Sequence, residues 1–320
     1  MKFKCSHSKL FLGGLVAMMI VLSYATYHYL QVEDETITVG YLPSNHHSAL
    51  FIAQEIGMYK KANLKLRLVP FRSGSDLIRA MKMGQVDVGY CGIAPVTMAR
   101  SNGTRIKVVA TVNTEGSGLV IPSATEGNLS QALQNKTVAI PRSGSVQDVL
   151  LHQLLQANNL STTQLSIIEL ETPLMPPSLK NGKIDAYLAW EPYVSSANIS
   201  GDGKILAYSD QWWDNHPCCV IVAREEFIQK DPSRLSRFLK VHQEATLYLK
   251  NHPEDAARIV SEKLGTSLQI QREALKHVNF QYHPDPDYTM NMERFMKLQQ
   301  SLGYLETIPS TDDLYDLRFL

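Results

Sequence analysis

At 320 residues the chain exceeds what one hydrophobic core normally serves, so two compact units are expected after any targeting segment. Lysine plus arginine and aspartate plus glutamate each number 31, and this balance excludes the broad basic surface by which proteins hold nucleic acid or acidic lipid. With 44% hydrophobic residues and no low-complexity run, the mature chain is expected to be globular throughout.

The first residues, MKFKCSHSK, carry Lys2, Lys4 and Lys9 ahead of a mostly apolar stretch over 10–30 that is just long enough to cross a bilayer. Residues 1–34 are therefore expected to be a signal peptide or an N-terminal membrane anchor. Small residues at 23–25 suit a signal peptidase, whereas apolar character that fades only near Tyr27 and His28 favours the anchor. Cys5 precedes the apolar run and is not placed for lipid attachment. Either way the chain from about residue 35 onward faces the outside. Five Asn-x-Ser/Thr sequons, at Asn102, Asn128, Asn135, Asn159 and Asn198, are compatible with an exported chain. The exported part keeps Cys91, Cys218 and Cys219. Adjacent side chains of a strand point to opposite faces, so Cys218 and Cys219 are not expected to bond each other. One of them is within conceivable reach of Cys91, and buried free thiols are the favoured state.

Next come a strand over 38–41, a polar loop, a helix over 48–60, a strand over 64–69 and a helix over 76–83, leading through Gly84-Gln-Val-Asp87 into another strand. The order then returns: strand 137–140, loop Pro141-Arg-Ser-Gly-Ser145, helix 146–158, strand 165–170, helix 173–181 and Gly182-Lys-Ile-Asp185 before a strand. Gly84 and Gly182 suit the left-handed residue that ends a helix. Asp87 and Asp185 recur at equivalent strand starts, where a carboxylate accepts backbone N–H bonds in a tight turn, so neither is expected to be catalytic. A unit repeated at about 100 residues predicts two α/β lobes with parallel-rich sheets. Segments 113–122 and 207–223 join them as a natural hinge, which divides the chain into 35–118 (lobe 1), 119–217 (lobe 2) and 218–320 (lobe 1 again). That last part reads as helices over 232–250, 253–263, 267–278 and 288–301, with Pro232 and Pro253 in first turns where their missing N–H costs nothing. Four loops lie at the carboxyl ends of strands, at 44–47, 91–95, 142–145 and 190–192, where open α/β sheets hold ligands and helix N-termini suit an anionic group.

The runs GYLP (40–43), HSALFIAQEIGMY (47–59), GQVDVG (84–89), GIAP (92–95) and GKIDAYLAWEPY (182–193) make residues 37–302 resemble the substrate-binding proteins of nitrate/sulfonate/taurine/bicarbonate-type ABC transporters. The resemblance implies a two-lobed type 2 periplasmic-binding fold with two crossover hinge strands, following the N-terminal hydrophobic helix. It further implies an extracytoplasmic, monomeric protein that captures a small oxyanion-type solute by clamp closure and delivers it to permease and ATPase subunits, with no cofactor. Carried onto this sequence, the family's ligand contacts fall on Asn45, His46, His47, Gly92, Ser143, Ser145, Trp190 and Glu191. Trp190 is either a core residue or an apolar wall over the solute. Glu191 either caps the following helix, pairs with Arg142, or meets a donor group of the solute, the last being preferred because its strand end faces the cleft. Arg142 is either an oxyanion partner or a solvated loop residue. Many relatives carry a lipid-site cysteine or are released; this chain lacks that cysteine.

Two other functions fit less well. One is binding of a thiamine-precursor pyrimidine, as cargo or as in a thiamine-pyrimidine synthase-like enzyme, whose cysteine-rich motif is missing here. The other is a membrane-tethered ligand sensor. No Gly-x-Ser-x-Gly elbow, P-loop or dinucleotide fingerprint occurs, and the chain is not expected to be an enzyme. His46, His47 and His216-Pro-Cys218-Cys219 have metal-ligand chemistry but no C-x-x-C or H-x-x-x-H spacing, so the sequence assigns no metal.

Overall fold

A computed structural model describes residues 36–320 together with residues 18, 19 and 23. The leader or anchor expected over 1–34, with Cys5, lies otherwise outside the described residues. Among the described residues no helix is long and apolar enough to cross a membrane. The chain divides after Ile37, and the unit considered below is Thr38–Leu320.

Strand β1 (Ile37–Tyr41) leads through a 3-10 turn (Asn45–His47) into helix α1 (Ser48–Glu55). The helix expected over 48–60 breaks at Gly57, whose φ of 75° ends α1 and starts the single turn α2 (Met58–Lys61). Strand β2 (Leu66–Pro70), helix α3 (Gly74–Lys82), strand β3 (Val88–Gly92), helix α4 (Ile93–Ser101) and the long strand β4 (Ile106–Glu115) follow. Gly116 then passes the chain to β5 (Ser117–Pro122) in a second sheet. That half holds α5 (Leu129–Leu133), β6 (Thr137–Ile140), α6 (Val146–Ala157), β7 (Ser166–Glu169), α7 (Met175–Lys180), β8 (Ala186–Trp190), α8 (Tyr193–Ser200) and β9 (Gly203–Tyr208). Residues 209–216 return to the first sheet at β10 (Pro217–Arg224), followed by α9 (Glu225–Lys230), α10 (Pro232–Asn251), α11 (Pro253–Leu264), α12 (Leu268–Ala274), β11 (Val278–Phe280), α13 (Pro286–Ser301) and α14 (Thr311–Leu314).

The first sheet has the order β11-β4-β10-β3-β1-β2 and the second β7-β6-β8-β5-β9. In the first, β1 runs parallel to β3 with β2 at the edge; in the second, β6 runs parallel to β7 and to β8. Beside each trio lies one antiparallel strand, β10 against β3 and β5 against β8, and each is the first strand after a crossing between sheets. Strands β3, β4 and β10 are buried almost throughout, as their continuous apolar runs require when both faces of a sheet are covered.

The repeated turn has the chemistry expected of it. Asp87 Oδ2 accepts the Thr38 N–H at 2.9 Å while the Asp87 N–H donates to the Thr38 carbonyl at 2.9 Å. Asp185 does the same with Thr137, also at 2.9 Å in both directions. Arg224 at 2.7 Å and Lys136 at 3.2 Å complete the two carboxylates. Both aspartates thus fasten strand starts.

One C-terminal element departs from the expectation. The helix expected over 267–278 stops at Ala274, and Val278–Phe280 pairs as an antiparallel edge strand with Glu115, Thr114 and Asn113 of β4. Three residues are too few to display a two-residue period, so only the partner strand reveals it.

His242 of α10 is fully buried, its Nε2–H donating to the Thr111 carbonyl at 3.0 Å and its Nδ1 meeting the Tyr90 hydroxyl at 3.2 Å. Burial pushes its pKa down to about 4. The unfolded chain therefore takes up a proton below about pH 6.5 that the folded chain refuses until about pH 4, so stability is intact above that window and lost as pH falls through it. From pH 7 to 4.5 the loss from this one group is expected to be about 2 kcal/mol. The check is urea unfolding of the wild type and His242→Gln at pH 7 and pH 4.5. The wild type should lose more stability than the variant by about that amount; equal losses would mean that His242 titrates as an ordinary histidine.

Candidate functional site

The carboxyl ends of the strands of both sheets meet around a cavity of about 50 Å3. A water needs roughly 10–15 Å3, so about four water-sized groups fit. From the first lobe come Leu42, Ser44, His46 and His47 after β1, Ser73, Gly74 and Ser75 after β2, Gly92 and Pro95 after β3, and Cys218 and Cys219 at the start of β10. The second lobe supplies Pro141, Arg142, Ser145, Val146 and Gln147 after β6 and Trp190 at the end of β8. No carboxylate is among these lining residues, and Arg142 brings a guanidinium.

Helix starts shape this cavity. Ser73 Oγ accepts the Asp76 N–H at 3.2 Å to cap α3, and Ser145 Oγ accepts the Asp148 N–H at 3.2 Å to cap α6. The first-turn amides ahead of those bonded ones, on Gly74 and Ser75 and on Val146 and Gln147, have no carbonyl behind them in the helix, and these residues line the cavity. Gly92 precedes α4 in the same way; a Cβ there would lie 3.1 Å from Val146 of the other lobe. The tetrapeptide Arg-Ser-Gly-Ser occurs at 72–75 and again at 142–145, both times between a strand and a helix lining the cavity. That repeat is the sequence signal for the Ser73 loop, a fifth cavity wall beyond the four loops expected at strand ends.

Several bonds join the lobes around the cavity. Ser44 Oγ donates to the Glu191 carbonyl at 3.1 Å and also accepts the His46 N–H at 3.1 Å. Arg72 pairs with Glu171 at 2.9 Å, and the Tyr304 hydroxyl donates to the buried Asp148 carboxylate.

Of the eight residues expected to touch ligand, five line the cavity: His46, His47, Gly92, Ser145 and Trp190. His47 is buried, with Nδ1 2.9 Å from the Leu42 carbonyl; a proton there leaves Nε2 as a bare acceptor, and Nε2 has no partner among the described residues. Burial, reinforced by neighbouring His46, pushes the His47 pKa down to about 3, which keeps the ring neutral. The Trp190 indole N–H is buried and likewise without a partner among the described residues.

The other three do not line the cavity. Asn45 is fully buried and starts the 3-10 turn; at about three residues per turn its side chain departs in a direction different from those of His46 and His47. Ser143 is exposed, and its N–H donates to Glu169 at 2.8 Å on the outside of the loop. Glu191 is 0% exposed, and its carboxylate accepts the Ser195 N–H at 2.9 Å, the Ser195 hydroxyl at 2.6 Å and the Tyr208 hydroxyl at 3.1 Å. It secures the start of α8, the role weighed against ligand contact in the sequence. Burial raises its pKa, and the Ser195 bonds oppose that rise. Arg142, placed between two roles by the sequence, lines the cavity and lies 3.8 Å from Glu169.

Cys91, Cys218 and Cys219 are all free and buried. Cys91 makes no bridge, and burial pushes its thiol up to about 12. The expectation that Cys218 and Cys219 face opposite ways fails because β10 is irregular against β4, with register shifts on both sides of Cys219. Their sulfurs lie 3.8 Å apart and at 3.4 and 3.6 Å from His46 Nδ1. A hydrogen bond from Cys219, with His46 alongside, holds the Cys218 thiol below its usual range, while Cys219 is pushed up.

Comparison with known proteins gives a concordant picture. A family model described as the NMT1-like family matches residues 30–264. The taurine-binding periplasmic protein of Escherichia coli (strain K12) is 26% identical over 213 residues, 66% of this chain and 65% of that protein. In structure, a ligand-binding component of an ABC-type import system from Staphylococcus aureus, solved with zinc bound, superposes with a TM-score of 0.80 at 21% identity, covering 89% of this chain and 98% of that one. The alkanesulfonate-binding protein from Xanthomonas axonopodis pv. citri, bound to MOPS, gives a TM-score of 0.78 at 17% identity, over 88% and 99% of the two chains. The fold is the two-lobed periplasmic-binding fold.

Proposed function

The chain belongs to the NMT1-like family, and on that premise we propose that it is the extracytoplasmic solute-binding component of an ABC importer, taking a small oxyanion-type solute of the sulfonate, taurine or nitrate kind. The observation that carries this is the lining of the cavity: helix starts from both lobes, one guanidinium and no carboxylate. Free first-turn amides and the positive end of a helix dipole favour an anionic group. Trp190 gives the solute a flat apolar neighbour with one N–H to donate, and His47 Nε2 accepts from an ammonium or hydroxyl when Nδ1 carries its proton towards the Leu42 carbonyl, 2.9 Å away.

Both lobes contribute lining residues, so a solute held by both binds the closed arrangement more tightly than an open one and shifts the lobes towards it. The strands β4–β5 and β9–β10 are the two connections about which they would rotate. The relatives are binding proteins, which supports capture and delivery to permease and ATPase subunits rather than catalysis. Their names do not favour a pyrimidine cargo.

The test is a thermal-shift panel of nitrate, bicarbonate, methanesulfonate, longer alkanesulfonates, taurine and thiamine-precursor pyrimidines, confirmed by calorimetry. A solute at 100 times its Kd stabilises by about 2.7 kcal/mol, a shift of a few degrees for a protein of this size. At least one oxyanion is expected to give it. Stabilisation by a pyrimidine alone would replace the proposal.

A further inference from the structure

We propose that His46, Cys218 and Cys219 form a three-ligand site for a thiophilic cation, zinc foremost, whose fourth position opens into the cavity. The three donor atoms define a triangle with sides of 3.4, 3.6 and 3.8 Å. A tetrahedral zinc ion with Zn–S near 2.3 Å and Zn–N near 2.0–2.1 Å requires edges of about 3.8 Å between sulfurs and about 3.6 Å between sulfur and nitrogen. All three sides match those edges within about 0.2 Å, so the ion enters without moving the strands.

The fold supplies what such a site needs beyond its ligands. His46 Nε2–H donates to the Gly116 carbonyl at 3.0 Å, fixing the ring so that Nδ1 faces both sulfurs. Gly116 is the residue at which the chain crosses between sheets, with φ 82°, and a Cβ there would stand 2.4 Å from His46 Nε2. The irregularity of β10 brings two adjacent sulfurs to one side. His46, Cys218 and Cys219 are buried yet line the cavity, which leaves one open coordination position. Asn113 Nδ2 also lies 3.4 Å from Nδ1, and on metal entry it keeps the Thr114 and Glu115 carbonyls as acceptors. A single cysteine beside a histidine would suit nucleophilic attack; a second sulfur at the same imidazole nitrogen makes a chelate.

On binding, two Zn–S bonds and one Zn–N bond form and two protons leave to solvent. Two thiolates balance the divalent ion, so the fourth position takes water or, if the solute-binding proposal holds, an oxygen of the solute.

The test uses the full chain, reduced and stripped with a chelator, titrated with zinc chloride alone and, separately, with cobalt(II) as a spectroscopic probe. We expect one equivalent bound with sub-micromolar affinity, and a cobalt spectrum with intense tetrahedral visible bands and sulfur-to-metal charge transfer. Cys218→Ser, Cys219→Ser and His46→Gln should each weaken binding by at least about 100-fold, and Cys91→Ser should leave it unchanged. A wild-type cobalt spectrum without thiolate charge transfer overturns the site even if a variant fails to fold, as does zinc binding unaffected in the folded variants. Repeating the solute panel with chelator present separates the two proposals: a solute that still stabilises the stripped protein leaves the transport function standing whatever becomes of the metal.

Discussion

Ser145→Trp is expected to lower solute affinity at least about 100-fold, a loss of about 2.7 kcal/mol of binding free energy, while the protein stays folded. Ser145 stands at the lip of the cavity, half-buried, where the chain passes from β6 into α6. An indole built there occupies the space of the solute and stands in front of the first-turn amides of α6. The substitution also removes the cap bond to the Asp148 N–H, which costs about 1 kcal/mol of stability. Ser145→Ala separates the two effects: it loses the same cap without filling the cavity, so its melting temperature should fall slightly and its Kd should stay within about threefold of the wild type. Calorimetry with the solute identified by the panel reads both. Wild-type affinity in Ser145→Trp would remove the β6–α6 loop from the site.

Glu191→Ala is expected to destabilise the chain by about 3 kcal/mol or more, the largest stability effect foreseen for a site candidate. Its carboxylate receives a backbone N–H and two hydroxyls in a place closed to water. Truncation strands those donors. The Ser195 hydroxyl has freedom to turn to another acceptor, but the Ser195 N–H at the start of α8 and the Tyr208 hydroxyl have little, because the Tyr208 ring is stacked on His277 with centroids 3.8 Å apart. Glu191→Gln keeps one accepting oxygen and should lose about half as much. Denaturant unfolding measures both, and the folded fraction of Glu191→Gln should bind solute with unchanged affinity. If that variant were as stable as the wild type but did not bind, Glu191 would belong to the ligand site after all.

These two residues show how the sequence divided its information. Ser145 follows a strand and opens an amphipathic helix, and a cap of that kind faces the strand ends wherever the helix packs on its own sheet. Glu191 directly follows β8, and the strand-end rule sends it to the cavity as well. What distinguishes them is the set of donors around the carboxylate: Ser195, four positions on at the start of α8, and Tyr208, seventeen positions further on in another strand. Local pattern does not encode such a neighbour.

The duplicated strand-helix-strand plan, the Asp87 and Asp185 turns and the approximate extent of the elements from residue 37 onward were fixed by short-range physics: hydrophobic period, glycine at helix ends and aspartate bonding to nearby N–H groups. Contacts between distant segments decided the rest. The three-residue strand β11 exists because β4 offers it an edge. The backbone N–H of exposed Ser143 is taken by Glu169, twenty-six positions away in β7. The meeting of His46 with Cys218 and Cys219, 172 and 173 positions away, depends on a register shift in β10 and on a glycine crossing, and carries no spacing signature along the chain. Sequence periodicity reports which face of an element is buried; which side chains from separate elements become neighbours is set by sheet order and strand register, and those are properties of the assembled lobes.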